Sequence, residues 1–531
     1  MKLAYKWQVT IIMVIGLFMS ILDNTIVSVA LPQIQKNLNV SSYDTVTWVA
    51  TAYFLAQAAV IPITGFMIDL VGSKWVFIVS LTLFTIGSFL CSLAPSFPML
   101  IFFRVLQGLG GGALMPVVFA EIFRVFPPSE RGPASAVIGV PILLAPAFGP
   151  TIGGYFTTTF DWNSIFKINV PIGILAVILA FWILKSKKSE DTQYGVNTVT
   201  RSNFDILGLI LSMAGFTTLV YAITEAGING WTDHQVELFL GIGGVLLAVF
   251  VVVELLVKDP VLDMRLFKVY SFTMGNIVTW ALSAFLFGSL FLLPFFFQNV
   301  QGVSALTSGE YLMSQGLAAA FATAVAGRLY NVIGPRWLTF FGMLIVAIAT
   351  IGFMNLTIGT SGWDLQGWFI LRGLGLGLTN VPLQTFVVSR ISNRDLPRAS
   401  SLVSVTRQVF SSIGVAVLTA YLTTQATSQG NTLGAQINTQ FASKPPTGEA
   451  LHCITVFGKA GSAAIQQCAK NYVFQNATTT ALNETFTFVL IGCLAATLIA
   501  LFIGKDPNVE LAKDARKRGE TVESRPAMIG E

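Results

Sequence analysis

Asp23 lies in SILDNTIVSVALP (Ser20–Pro32), a carboxylate within an otherwise apolar run. Arg104 lies in LIFFRVLQGLGGG (Leu100–Gly112), and Arg372 and Arg407 have similarly apolar surroundings. A charge at a bilayer centre costs about 2.5–3.5 kcal/mol on insertion scales, so each such group needs a partner, a water-filled cavity, or a neutral form. Burial drives a carboxylate towards its protonated form. Such a group could carry a proton in one state and face a cation in another. The alternative is a structural carboxylate bonded to Asn24, Thr25 or a neighbouring helix. Glu121, Glu225, Glu254, Glu310, Asp364 and Glu484 fall near the ends of apolar runs, where a charge reads as interfacial. Among them Glu310 is the second candidate for proton handling.

Other chemistries find little footing. The two histidines, His234 and His452, lie in polar segments. No H-E-x-x-H, G-x-S-x-G, paired Cys/His metal spacing or G-x-x-x-x-G-K-[ST] occurs, so neither a hydrolytic enzyme nor an ATPase is indicated. No metal or organic cofactor is expected. GLGGGA (Gly108–Ala113) satisfies a dinucleotide pattern, but it sits inside an apolar helix and lacks the preceding strand of a βαβ unit. Cys91 and Cys493 fall in apolar runs and read as packing residues. Cys453 and Cys468 share one long polar segment on the outer side, where they could form a disulfide or remain free thiols.

The elements that position these residues are apolar helices. The chain has 531 residues, 54% hydrophobic and 11% charged, against about 25% charged in soluble domains. Fourteen apolar runs of spanning length follow one another, the first centred near Ile15 and the last near Ala495. The first lacks a cleavage site and reads as a span, not a removable leader. With both termini inside, the outer segments carry only Lys36, Lys167, Lys444, Lys459 and Lys470 of the 31 Lys and Arg. That bias predicts both termini in the cytoplasm. The net charge of +5 belongs to the inner membrane face and does not point to nucleic acid.

The chain also repeats itself. GFMIDLVGSKW (Gly65–Trp75) is echoed by GRLYNVIGPRW (Gly327–Trp337), FFRVLQGLGGG by ILRGLGLGLTN, and ERGPASAV by DLPRASSLV. The respective offsets, from Gly65 to Gly327, Arg104 to Arg372 and Ser135 to Ser400, are 262, 268 and 265 residues. A six-span half needs roughly 200 residues, so the surplus fits two spans inserted between duplicated halves. The expected fold is all-α: a six-helix bundle over residues 1–188, a two-helix insert over 189–270, a second six-helix bundle over 271–504 with an outer loop at 424–480, and a cytoplasmic tail over 505–531.

These features together resemble the major facilitator superfamily, and more closely its 14-span drug:proton antiporters of the EmrB/QacA type. LDNTIVSVALP resembles the first-span signature, which implies a role for Asp23 in proton and substrate coupling. GFMIDLVGSKW resembles the inner-loop gating motif, with Gly65, Asp69, Gly72 and Lys74 matching and Leu70 and Ser73 replacing basic positions. In the second copy Asn331 stands where the Asp would be. The span-4 motif implies a place for Arg104 on the proton path. GVPILLAPAFGPTIGGY resembles the antiporter motif, through Gly139, Pro141, Pro146, Gly149, Pro150, Gly153 and Gly154. DWNSIFKINVPIG (Asp161–Gly173) reads as a family fingerprint. The resemblance implies a monomeric, multi-pass exporter in the cell membrane. It would expel lipophilic, cationic or neutral small molecules by alternating access, driven by the proton gradient. Export of a lipid, fatty acid or dedicated metabolite on the same fold is the alternative. WALSAFLFGSLFLLPFFFQN (Trp280–Asn299) offers aromatic faces for a lipophilic cation, or a wall against lipid.

Overall fold

A computed structural model describes residues 4–41, 43–127, 130–186, 205–257, 259–287, 289–442, 453–455, 462–506 and 509–510. Lys444, Lys459, the whole of the 187–204 linker and the tail beyond 510 lie outside the described residues. The described chain is helical, with no strand among its residues. In order, the main helices are α1 (Tyr5–Asn37), α2 (Trp48–Val71), α3 (Ser73–Ser92), α4 (Phe97–Val125), α5 (Arg131–Thr159), α6 (Asn169–Ile183), α7 (Ile206–Asn229) and α8 (His234–Leu256). There follow α9 (Tyr270–Leu282), α10 (Ala305–Ile333), α11 (Pro335–Ile351), α12 (Gln366–Val387), α13 (Leu396–Ala442) and α14 (Ser462–Ala500).

Among the described residues, eleven helices are long and apolar enough to cross a membrane. Three expected spans depart from that pattern for local reasons. α11 has 17 residues. α12 is diluted by its glycines and by Arg372, Asn380 and Gln384. The ninth run breaks up: α9 passes into a π-turn at Ser283–Phe287, a short helix at Leu292–Phe295 and a second π-turn at Phe296–Val300. Its aromatics turn largely inward. Phe296 and Phe297 are buried with Tyr311, Phe353 and Phe369 in one apolar cluster.

The repeat is visible in backbone geometry. Gly72 joins α2 to α3 at φ 86° and ψ 155°, and Gly334 joins α10 to α11 at φ 92° and ψ 164°. An L side chain avoids positive φ, which explains glycine at both joints. α5 packs along α10, the principal seam between the first six helices and the later ones. Glycine sets how close the two come. A Cβ at Gly309 would lie 2.7 Å from Thr151 Oγ1, and one at Gly327 would lie 2.7 Å from Ala136 Cβ.

The helices expected as an insert pack into the core. α7 packs against both α2 and α13, filling the crevice between them. α8 packs on α7 and turns Val245, Val249, Val252 and Leu256 outward.

The segment expected as an outer loop is largely helix. α13 runs for 47 residues and α14 for 39. At 1.5 Å per residue α13 is about 70 Å long, against a hydrocarbon core of about 30 Å. The two therefore continue beyond the apolar layer as a packed pair. Polar sequence marks the absence of lipid, not the end of a helix. A disulfide joins Cys453, in the connection between the two helices, to Cys468 near the start of α14, with Cα atoms 5.8 Å apart. Cys91 and Cys493 are free and buried.

Candidate functional site

Asp23 is at the centre of a sealed polar cluster drawn from four helices. α1 presents the carboxylate. α4 supplies Arg104 and, three residues on and so on the same face, Gln107. α6 supplies Asn169 at its first turn. Arg104 Nη1 donates to Asp23 Oδ2 at 2.6 Å. Gln107 Nε2 and Asn169 Nδ2 each donate to Asp23 Oδ1 at 2.9 Å. Arg104 also donates to the Val49 carbonyl of α2 at 2.9 Å and to Gln107 Oε1 at 2.8 Å. Its guanidinium lies 4.1 Å from the centre of the Tyr53 ring. Asp23 is 2% exposed and Arg104 1%.

This arrangement answers the cost of a carboxylate in an apolar run. Desolvating two charges is expensive, and their attraction repays it only when further hydrogen bonds satisfy the remaining polar atoms. Here both carboxylate oxygens and the guanidinium have such partners. Asp23 and Arg104 were legible as candidates. Gln107 and Asn169 were not singled out, although a Gln one turn beyond an intramembrane Arg and an Asn at a span start are the available signals. Glu310 is exposed on α10 and is not among the partners of Asp23.

The Gly65–Trp75 segment makes a contact distant in sequence. Arg398 Nε donates to Asp69 Oδ2 at 3.0 Å, and both side chains are about nine-tenths buried, at 10% and 12% exposure. Arg398 belongs to the start of α13, in the echo DLPRASSLV. A Cβ at Gly65 would sit 2.7 Å from the Pro397 carbonyl oxygen, so α2 and the start of α13 touch backbone to backbone. Asp69 is thereby placed near a helix N-terminus, where a negative charge is favoured. Gly72 forms the α2–α3 joint. Lys74 Nζ donates to the Phe181 carbonyl at 2.7 Å, near the C-terminal end of α6. A second clasp lies nearby, with Arg131 Nη2 donating to Asn393 Oδ1 at 3.1 Å.

The antiporter-motif residues lie along α5, which remains helical through Pro141, Pro146 and Pro150. Gly139 faces Thr323 of α10, Gly153 faces Ile26 of α1, and Gly154 faces Leu306 of α10. A Cβ at Gly149 would overlap Thr25 of α1. The motif thus lets one helix approach α1 and α10 together.

Two cavities among the described residues bear on transport. One of about 1000 Å³ lies between the outer parts of α13 and α14. The other, of about 500 Å³, is central, lined from α1, α2, α4, α5, α7 and α13. The central one is the candidate transport site. It lies between the repeats, and its lining residue Ser20 is 3.1 Å from the Tyr53 hydroxyl, on whose ring Arg104 rests. The outer cavity shares no lining residue with that cluster.

The comparisons with known proteins agree with this geometry. Residues 13–415 match the model of the Major Facilitator Superfamily. The chain is 30% identical to the uncharacterized MFS-type transporter YhcA of Bacillus subtilis (strain 168), over 97% of this chain and 96% of that protein. It is 34% identical to a multidrug resistance protein B homolog of Mycobacterium tuberculosis (strain ATCC 25618 / H37Rv), over 78% of this chain and 75% of that one. The structure of the proton:xylose symporter XylE shares the fold, with a TM-score of 0.57 at 12% identity, covering 96% of this chain and 99% of that one. With a duplicated helical architecture, an intramembrane ion pair beside a central cavity and these relatives, the chain belongs to the major facilitator superfamily and is a multi-pass membrane transporter, not an enzyme.

Proposed function

We propose that the chain is a proton-coupled exporter of lipophilic small molecules, of the 14-span EmrB/QacA type, with both termini cytoplasmic in the cell membrane. The observation that carries this reading is the sealed Asp23–Arg104 pair behind the wall of the central cavity. A proton on Asp23 competes with Arg104 for the same carboxylate. Protonation removes the charge that holds together Arg104, Gln107 and Asn169, and with them α1, α4, α6 and the Val49 carbonyl of α2. Proton binding therefore loosens four helices around the cavity at once, and proton release re-forms them. Alternating access follows if the Asp69–Arg398 latch holds one conformation and opens in the other. The name of the M. tuberculosis relative supports multidrug export, and Leu17, Ile21, Phe54 and Met115 give the cavity an apolar lining suited to lipophilic cargo.

The test is efflux from proteoliposomes under an imposed pH gradient, read with a lipophilic fluorescent substrate alongside proton counterflow. Wild-type protein should couple the two, and Asp23→Asn should lose gradient-driven efflux. Efflux in Asp23→Asn that still follows the pH gradient would overturn the proton role. A parallel lipid-flux assay separates drug export from export of a lipid or fatty acid.

A further inference from the structure

We propose that the central cavity selects lipophilic anions, a carboxylate, sulfonate or phosphate on an apolar body, and that Arg407 is the residue that selects them. The inference rests on the reading of that cavity as the transport site. Among the described residues lining it, Arg407 is the one formally charged side chain. The other two intramembrane arginines are closed off: Arg104 and Arg372 are each 1% exposed. Arg407 is only part-buried, and opens onto the cavity.

Its neighbours fit the same cargo. Ser404, Gln408 and Ser411 stand three or four residues from Arg407 on α13, so one helix face presents a guanidinium flanked by groups able to donate hydrogen bonds. A guanidinium fork matches the two oxygens of a carboxylate or phosphate. Across the cavity, apolar side chains of α1, α2 and α4 are available to the body of the molecule. Arg407 also lines a small pocket of about 30 Å³ with Phe119, Val388 and Ser400. It therefore stands where the central cavity meets a recess towards the latched end.

A cation entering this cavity finds no complementary carboxylate among its described lining residues. Asp23 is 2% exposed and both its oxygens are engaged by Arg104, Gln107 and Asn169. Glu310 is exposed elsewhere and does not line the cavity. Like charges brought together in a partly desolvated site repel, and this is how proteins reject wrong partners. The expectation of cationic cargo drawn from family resemblance is thus opposed by the cavity's own charge. Neutral cargo is tolerated, and anionic cargo is favoured.

The test uses two lipophilic ions on one apolar body and of opposite charge, 1-pyrenesulfonate and 1-pyrenyltrimethylammonium. Saturable binding of each to the purified full-length protein is measured by calorimetry, with proton exchange followed separately in proteoliposomes. Wild-type protein should bind the sulfonate about tenfold or more tightly than the ammonium. Arg407→Gln should bring the ratio close to one, and Arg407→Lys should keep the anion preferred. The wild-type ratio needs no variant, so misfolding of Arg407→Gln leaves the test intact. Preference for the ammonium, equal binding, no saturable binding of either ion, or an unchanged ratio in a folded Arg407→Gln would each overturn the inference. Proton-coupled export of a neutral compound without anion preference would overturn the inference alone. Anion-selective binding without proton exchange would support it and overturn the coupling reading alone.

Discussion

Neutralising Asp23 should destabilise the protein as well as uncouple it. In Asp23→Asn the new side chain is nearly isosteric, but one acceptor oxygen becomes a donor. It then faces donors already aimed at the carboxylate: Arg104 Nη1 at 2.6 Å, and Gln107 Nε2 and Asn169 Nδ2 at 2.9 Å. Arg104, 1% exposed, loses its counter-charge without gaining access to water. Removing one member of a buried pair costs about 3–5 kcal/mol, whereas removing both is often near neutral. At about 1.4 kcal/mol per decade, the single substitution should shift the unfolding equilibrium by roughly two to four orders of magnitude. Asp23→Asn combined with Arg104→Gln should recover most of that loss, a coupling of about 3 kcal/mol at the upper end of pairwise values. The two buried free thiols provide the assay. Cys91 lies 3.6 Å from Gln107 Oε1, beside the cluster, while Cys493 is buried in a separate apolar cluster with α9 and α11 residues. Labelling by a thiol-reactive fluorogenic dye on heating should begin at lower temperature in Asp23→Asn, and at Cys91 before Cys493. If the single variant labels like wild type, or the double variant loses the sum of the two single losses, the carboxylate and guanidinium are not a coupled buried pair.

Three further outcomes follow from the geometry. Arg372 is as buried as Arg104, yet it bonds Ser289 while its Nε and Nη1 have no partner, so Arg372→Met should melt at or above wild type and Arg104→Met well below it; equal losses in thermal melting would refute this contrast. Gly149→Ala should abolish transport by overlap with Thr25, and Thr25→Gly should restore part of it; an active Gly149→Ala would show that α1 and α5 separate readily. Replacing Cys453 and Cys468 by Ser removes a cross-link spanning 15 residues, worth about 3 kcal/mol in the chain-entropy model. Hydrogen exchange should rise at the start of α14 around Cys468 while transport persists, and unchanged exchange would mean that helix packing alone holds that end.

Much of the architecture was readable because membrane insertion acts locally. About twenty apolar residues decide a span whatever lies elsewhere, and the duplicated motifs mark equivalent joints, as Gly72 and Gly334 show. The same locality explains the departures. Hydropathy along the ninth run does not register where a helix slips into π-turns, and polar residues after Tyr421 look like a loop although α13 continues to Ala442. The site was half legible. Asp23 and Arg104 stand out because a charge is costly in an apolar setting, and Asp69 through the motif that Gly65–Trp75 resembles. Their partners do not, since Arg104 and Asn169 are 81 and 146 residues from Asp23, and Arg398 is 329 from Asp69. Only packing chooses among the donors available at such separations. Packing also decides which charges reach the central cavity: it turns Asp23 into its own cluster and leaves Arg407 facing the open space. Sequence determined that charges lie within the membrane, because composition sets the cost of burying them; the tertiary structure decided which are neutralised and which are presented, because that depends on the faces that rigid helices turn towards one another.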